Sequence, residues 1–175
     1  MLTITYHSKG GVRLTGGQRG ITAYAKAPLE KGDMLLQFIP EETPTTGIYC
    51  WPGEYDVGGV MLRGIGHNEG QQVTFLAVVD GIRCALLALP LPEWSDADLQ
   101  LLGDVDVLLL PDTDPKVIQT LLDKMDPRAL VLLPSEKGKV SDEVLRVCGA
   151  QDKAPVSEYK VKGLPQEGRE VVVMG

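Results

Sequence analysis

The chain has 175 residues, 43% of them hydrophobic, and its 24 acidic against 17 basic side chains give a formal charge of -7. That length suits one domain with a real core. An acidic chain without a Lys/Arg cluster would repel a phosphate backbone, so nucleic acid is not an expected partner. The longest apolar runs, such as Cys84–Leu91, are far short of a bilayer span, and Met1–Tyr6 alternates like a strand where a signal peptide would need a charged start and a long apolar region.

The first half reads as a β-meander. Leu2–Tyr6 alternates and predicts the first strand. Gly10-Gly11 and Gly16-Gly17 punctuate short segments, Val12–Leu14 and Ile21–Ala25, as tight hairpins would. A phosphate cradle needs a Gly-rich loop followed by a helix, and no helix pattern follows Gly20, so the glycines do not form one. Lys31-Gly32-Asp33 predicts a turn and Met34–Ile39 a short strand. Pro40–Gly47 is loop, Ile48–Trp51 is extended, and Pro52-Gly53 is a turn dipeptide. Tyr55–Leu62 predicts a strand interrupted by Gly58-Gly59, and Gly64–Gln72 a polar loop holding His67. Val73–Val79, the turn Asp80-Gly81 and the returning strand Ile82–Leu89 then form a hairpin.

The second half alternates. Ser95 caps a helix over Asp96–Leu102, Gly103 stops it, and Val105–Pro111 is a buried strand. Asp112 and Asp114 are helix-capping candidates before Pro115. Val117, Ile118, Leu121, Leu122 and Met125 recur at helical spacing up to Pro127. Ala129–Leu133 is the next strand, Ser141–Val147 the last helix, and Val156–Val161 and Glu170–Met174 the closing strands. The pattern predicts an α/β (α+β) domain over residues 1–175, with sheet layers and helices outside them.

Chemistry is harder to find. Cys50, Cys84 and Cys148 are odd in number and lack the close pairing of a zinc site, which predicts reduced thiols in a cytoplasmic protein. His7 has no nucleophile placed with it by any motif. Glu41 and Glu42 with Glu54 and Asp56 could approach a hard cation, but such ions want six or more oxygens in a defined loop, so an acidic surface loop is the expected reading. Tyr49, Trp51 and Tyr55 either stack on a ligand or pack around the Pro-Gly turn.

Three stretches carry a resemblance: Trp51-Pro52-Gly53-Glu54-Tyr55-Asp56-Val57-Gly58-Gly59-Val60, then Asp80-Gly81-Ile82-Arg83, then Leu102–Pro111. With Tyr6-His7-Ser8, Asp126-Pro127-Arg128 and Glu170–Val173, they resemble the short prokaryotic metallo-β-lactamase-fold hydrolases of the L-ascorbate-6-phosphate lactonase type. The resemblance implies a four-layer αββα sandwich with a site at one edge of its two sheets. It also implies zinc, held by His and Asp, which lowers the pKa of bound water to make a nucleophile.

The family's His-x-His-x-Asp-His signature falls on Ile39-Pro40-Glu41-Glu42-Thr43-Pro44. The bridging Asp falls on Leu89, and the last His on Pro134 or, with a gap, Glu136. Only His67 sits near a ligand position. The ancestral-site positions are thus Ile39, Glu41, Thr43, Pro44, His67, Leu89, Pro134 and Glu136. The chain has 2 His in all, too few for the usual zinc set. No catalytic residue, metal or cofactor is assigned. The expectation is a pseudoenzyme that binds or self-associates, with a homodimer as partner, no membrane, and apolar side chains partly filling the old pocket. The alternative is a divergent metal-dependent hydrolase around His67, Glu41, Glu42, Glu54 and Glu136.

Overall fold

The computed structural model describes residues 1–8 and 11–175. Lys9 and Gly10 lie outside the described residues, and with them the Gly10 half of the first predicted turn.

Two sheets stack on one another. The first runs in the order β12-β1-β2-β3-β4-β5, with β1 Thr3–His7, β2 Gly11–Thr15, β3 Ile21–Ala23, β4 Met34–Leu36, β5 Ile48–Tyr49 and β12 Glu158–Lys160. The second runs β13-β11-β10-β9-β8-β7-β6, with β6 Gly53–Val57, β7 Val60–His67, β8 Gln72–Val79, β9 Ile82–Leu86, β10 Val107–Pro111, β11 Ala129–Leu133 and β13 Glu170–Val173. β6 to β9 form an antiparallel meander, while β9, β10, β11 and β13 are parallel. Asp80-Gly81 makes the predicted turn, with φ of 55° and 78°, while Gly58-Gly59, expected to interrupt one strand over Tyr55–Leu62, instead have φ of 60° and 80° and fold that stretch back as the β6–β7 hairpin. Positive φ at both central residues matches the twist of the flanking strands.

Strict alternation makes two cores. Cys84, Leu86, Val107, Leu109, Ala129 and Val131 face the first sheet and meet Ile4, Leu14, Ile21 and Met34. Their neighbours Ala85, Leu87, Leu108, Leu110, Leu130 and Leu132 face outward, onto the helices. A strand buried on both faces is apolar throughout, which is why these segments read as continuous runs. Helices α1 Asp96–Leu102, α2 Pro115–Met125 and α3 Asp142–Val147 cover that outer face through Leu102, Ile118, Leu121, Leu122 and Val144. Ser95 and Asp98 close a reciprocal capping box on α1, and Asp114 accepts from the Lys116 amide to cap α2. The metallo-β-lactamase-like sandwich is therefore present, with the helices gathered on the second sheet. Over the first sheet runs the loop after β3, pinned where the Leu29 amide donates to Thr22 Oγ1 and where Arg13 and Thr22 hold Asp33.

Two further local expectations fail. Gly64–Gln72 is not a loop: β7 continues to His67 and only the tight turn before Gln72 remains. The glycines misled because they answer a close approach. A Cβ on Gly64 would lie 2.5 Å from the Trp51 carbonyl oxygen, and one on Gly66 2.9 Å from Pro52. The strands predicted over Met34–Ile39 and Ile82–Leu89 stop at Leu36 and Leu86, so their last residues leave the sheets at one common edge.

Candidate functional site: two clefts at the strand-end edge

In parallel strands, side chains just past the carboxyl ends gather in one crevice, where open α/β sheets place their ligands. Here Leu89 follows β9, Asp112 follows β10 and Pro134 follows β11. Two clefts open at this edge. One, of ≈1150 Å³, takes in Tyr6, Ser8, Asp112, Pro134, Glu136 and Lys139. The other, of ≈1070 Å³, takes in Leu29, Phe38, Ile39, Gln72 and Pro90. Tyr24, Ala88 and Leu89 line both and so form the partition between them.

Tyr24 ties the two sheets together at that partition. Its ring stacks on Phe38 at 4.9 Å, and its hydroxyl donates to the Leu87 carbonyl oxygen at 2.8 Å. Burial pushes the phenol well above its ordinary value, with the Leu87 bond acting weakly the other way, so it stays protonated. It is a tether and not an acid or base.

The ancestral positions divide. Ile39, Leu89, Pro134 and Glu136 do line the clefts. Glu41, Thr43 and Pro44 sit on the following loop and line neither; Glu41 accepts from the Thr45 hydroxyl. His67 is buried, its Nε2 3.1 Å from Thr74 Oγ1 and its ring edge-on to Trp94 at 4.7 Å. Desolvation lowers its pKa, only partly countered by Asp98. Glu54 is paired with Arg63. The expected apolar filling is corrected: Ile39 is 72% and Leu89 47% exposed, so these side chains stand on the rim and leave the clefts open. Asp112 is corrected too. It does not cap α2 but accepts from the Ser141 amide and hydroxyl, fixing the start of α3 against the end of β10.

The zinc implied by the resemblance needs nitrogen, sulfur or oxygen donors at about 2.0–2.3 Å. Ile39, Leu89 and Pro134 offer none, Asp112 is committed to Ser141, and His67 is committed to Thr74. No group of three or more His, Cys, Asp or Glu among the described residues could hold a metal ion. The residues present do not fit zinc. The three cysteines are free, with Cys50 and Cys84 buried and Cys148 half-buried, and burial raises the Cys84 thiol far above its usual range. No helix among the described residues is long and apolar enough to cross a membrane.

Sequence reasoning missed Tyr24, Phe38 and Gln72. Gln72 is 7% exposed; its Nε2 donates to the Pro90 carbonyl at 2.7 Å, while its Oε1 accepts nothing among the described residues. The sequence signal was faint: a Gln opening an otherwise apolar strand.

No family model and no curated protein matches the sequence. Solved structures do. A Thermotoga maritima protein assigned to the Zn-dependent hydrolases of the metallo-β-lactamase superfamily superposes with a TM-score of 0.72 at 19% identity, over 99% of this chain and 98% of that one. The metallo-β-lactamase fold protein YhfI from Bacillus subtilis gives 0.59 at 9% identity, over 98% and 95%. A CmlA β-hydroxylase variant gives 0.56 at 12% identity, over 99% of this chain and 52% of that one. The chain has the metallo-β-lactamase fold.

Proposed function

We propose that this chain is a non-catalytic protein of the metallo-β-lactamase fold that acts by binding at its strand-end edge. One observation carries the reading: where the resemblance puts ligands, the edge presents Ile39, Leu89 and Pro134, and those side chains line clefts that stay open. A fold does not carry its chemistry without the site, and here the donor set is missing. The reading is tested by elemental analysis of the purified protein together with hydrolysis of phosphodiesters, lactones and β-lactams. The expected result is no stoichiometric transition metal and no chelator-sensitive turnover. One zinc per chain, or turnover above about 1 per second abolished by chelator, would overturn it.

Self-association belongs to the same reading. Trp51 is 41% exposed beside the half-buried Ile48 and Tyr49, and aromatics are enriched in interface cores. A two-fold homodimer through the Pro40–Gly53 loop is the expected form. Light scattering at micromolar concentration should give twice the chain mass, and Trp51→Ala should return it to one. A monomer at every concentration ends the homodimer claim.

A further inference from the structure

We propose that β12 is a pairing edge for a second copy of this chain, joining two first sheets antiparallel about a two-fold axis at Tyr159. The inference goes beyond the loop contact described above and is independent of it, because β12 and β5 are the opposite ends of one sheet.

Backbone phase makes the edge available. β12 pairs with β1, Thr3 opposite Lys160 and Thr5 opposite Glu158, and among the described residues no strand lies on its other side. The Val161 amide donates to the Leu2 carbonyl oxygen, and the Tyr6 amide to the Ser157 carbonyl oxygen. Bonded residues alternate along an antiparallel pair. Ser157, Tyr159 and Val161 therefore turn their backbone groups to β1, while Glu158 and Lys160 turn theirs outward. Outward amides and carbonyls on an edge are a template for one more strand. The Tyr159 side chain faces the core. Glu158 and Lys160 stand on the solvent face, paired with each other at 2.9 Å and 47% and 48% exposed.

Charge selects the occupant. Centred on Tyr159, a two-fold antiparallel pairing sets Glu158 of each copy opposite Lys160 of the other. Both cross-strand pairs are then attractive, and the outward amides and carbonyls of the two residues satisfy one another. Centring the axis on Glu158 or on Lys160 would put like charges together, which fixes the register. The free edge of the second sheet, β6, gives the opposite result. Its hairpin turn closes on the pair Val57 and Val60, so Glu54 and Asp56 are the residues with outward backbone groups. A two-fold pairing centred on either of them, or on Tyr55 between them, sets acid against acid. Charges on an edge commonly keep a second strand away. On β12 the order of the signs admits one, its own copy. The contact is isologous and closes at two chains. A three-residue strand is a small interface, so this pairing needs a far higher concentration than the micromolar loop contact.

The full chain carrying Trp51→Ala removes the loop contact from the test, and sedimentation equilibrium up to about 1 mM reaches the range of weak contacts. Its mass should rise towards that of a pair. Glu158→Lys and Lys160→Glu should each weaken the pairing about tenfold or more, because attraction becomes repulsion at both cross-strand positions. An equimolar mixture of these two variants should pair again, and the double exchange should pair as the parent does, since both restore opposite charges across the axis. In the unaltered chain, which needs no variant, the Glu158 and Lys160 amides should exchange with solvent more slowly as concentration rises. No rise in mass, unchanged amide exchange, single exchanges that pair like the parent, or a mixture no better than its components would each overturn the proposal. Absence of the micromolar homodimer, by contrast, would overturn the loop contact and leave this one standing.

Discussion

The parallel strands of the second sheet end very differently at their two ends. At the amino end the charges are tied in pairs. Arg83 donates from Nε and Nη2 to the two oxygens of Asp106 at 3.0 and 3.1 Å, and from Nη1 to Asp104 at 3.0 Å. The Arg83 amide adds a bond to Asp106 at 2.9 Å, Asp80 pairs with the chain's amino group, and Arg169 pairs with Asp126. At the carboxyl end the same strands deliver Leu89 to solvent, and beside them Gln72 Oε1 has no donor among the described residues. Paired charges and satisfied bonds fix a structure. Exposed apolar surface favours whatever covers it. The two ends therefore separate what holds the fold from what stays exposed.

The sharpest break of that contrast is Asp106→Ala. It removes a side chain that accepts three bonds from Arg83 and should cost about 2–3 kcal/mol, read as a fall in the urea midpoint. Acid should act on the same group. Burial alone would raise the Asp106 carboxyl, but the side-chain and backbone bonds from Arg83 outweigh it and hold the carboxyl below its ordinary value. Its contribution is therefore present above the unfolded value of about 4 and is lost as pH falls through the lower folded value. Asp33, held down by Arg13 and Thr22 against its own burial, should add to that loss. Asp106→Asn should flatten the acid dependence measured between about pH 5 and pH 2, a window set by these carboxylate values.

A smaller effect belongs to the other end. His67 is held neutral by burial, so the unfolded chain takes up its proton first as pH falls below about 6.5. Stability should decline from about pH 7 towards pH 5, and His67→Phe should remove that slope. The smallest effects should come from the rim. Ile39→Ser and Leu89→Ser should each change stability by no more than about 0.5 kcal/mol, since they are solvent-facing. A loss at Leu89 equal to that at Asp106 would end the distinction between the two ends.

Much of the fold was legible because its determinants are local. Ser95, Asp114, Pro115 and Asp80-Gly81 act on their near neighbours in the chain, and each makes the cap or turn its chemistry predicts. The continuous apolar runs of β10 and β11 likewise follow from strands with a layer on either side, since Val107 faces one core and Leu108 the other. His67 was misplaced because Gly64 and Gly66 look like loop glycines until the Trp51-Pro52 segment is seen to cross them. The site was less legible because its key relations are long-range. Asp112 meets Ser141 across 29 positions, and Tyr24 reaches Leu87 across 63. Arg83 and Asp106, two of the residues that carried the resemblance, sit at the tied end, where they report likeness of shape and not of chemistry.

The closing segment has a consequence for how the chain reaches this state. β12 lies beside β1, with Thr3 opposite Lys160, and the Val161 amide donates to the Leu2 carbonyl. A few residues away, Val156 bridges to Met174 at the end of β13, which lies in the other sheet. One short stretch thus completes both sheets. During synthesis at about 5–20 residues per second, β1 waits with one side unpaired until Lys160 has been made. The entropy of closing so long a loop is met only then, which places the joining of the sheets among the late steps of folding.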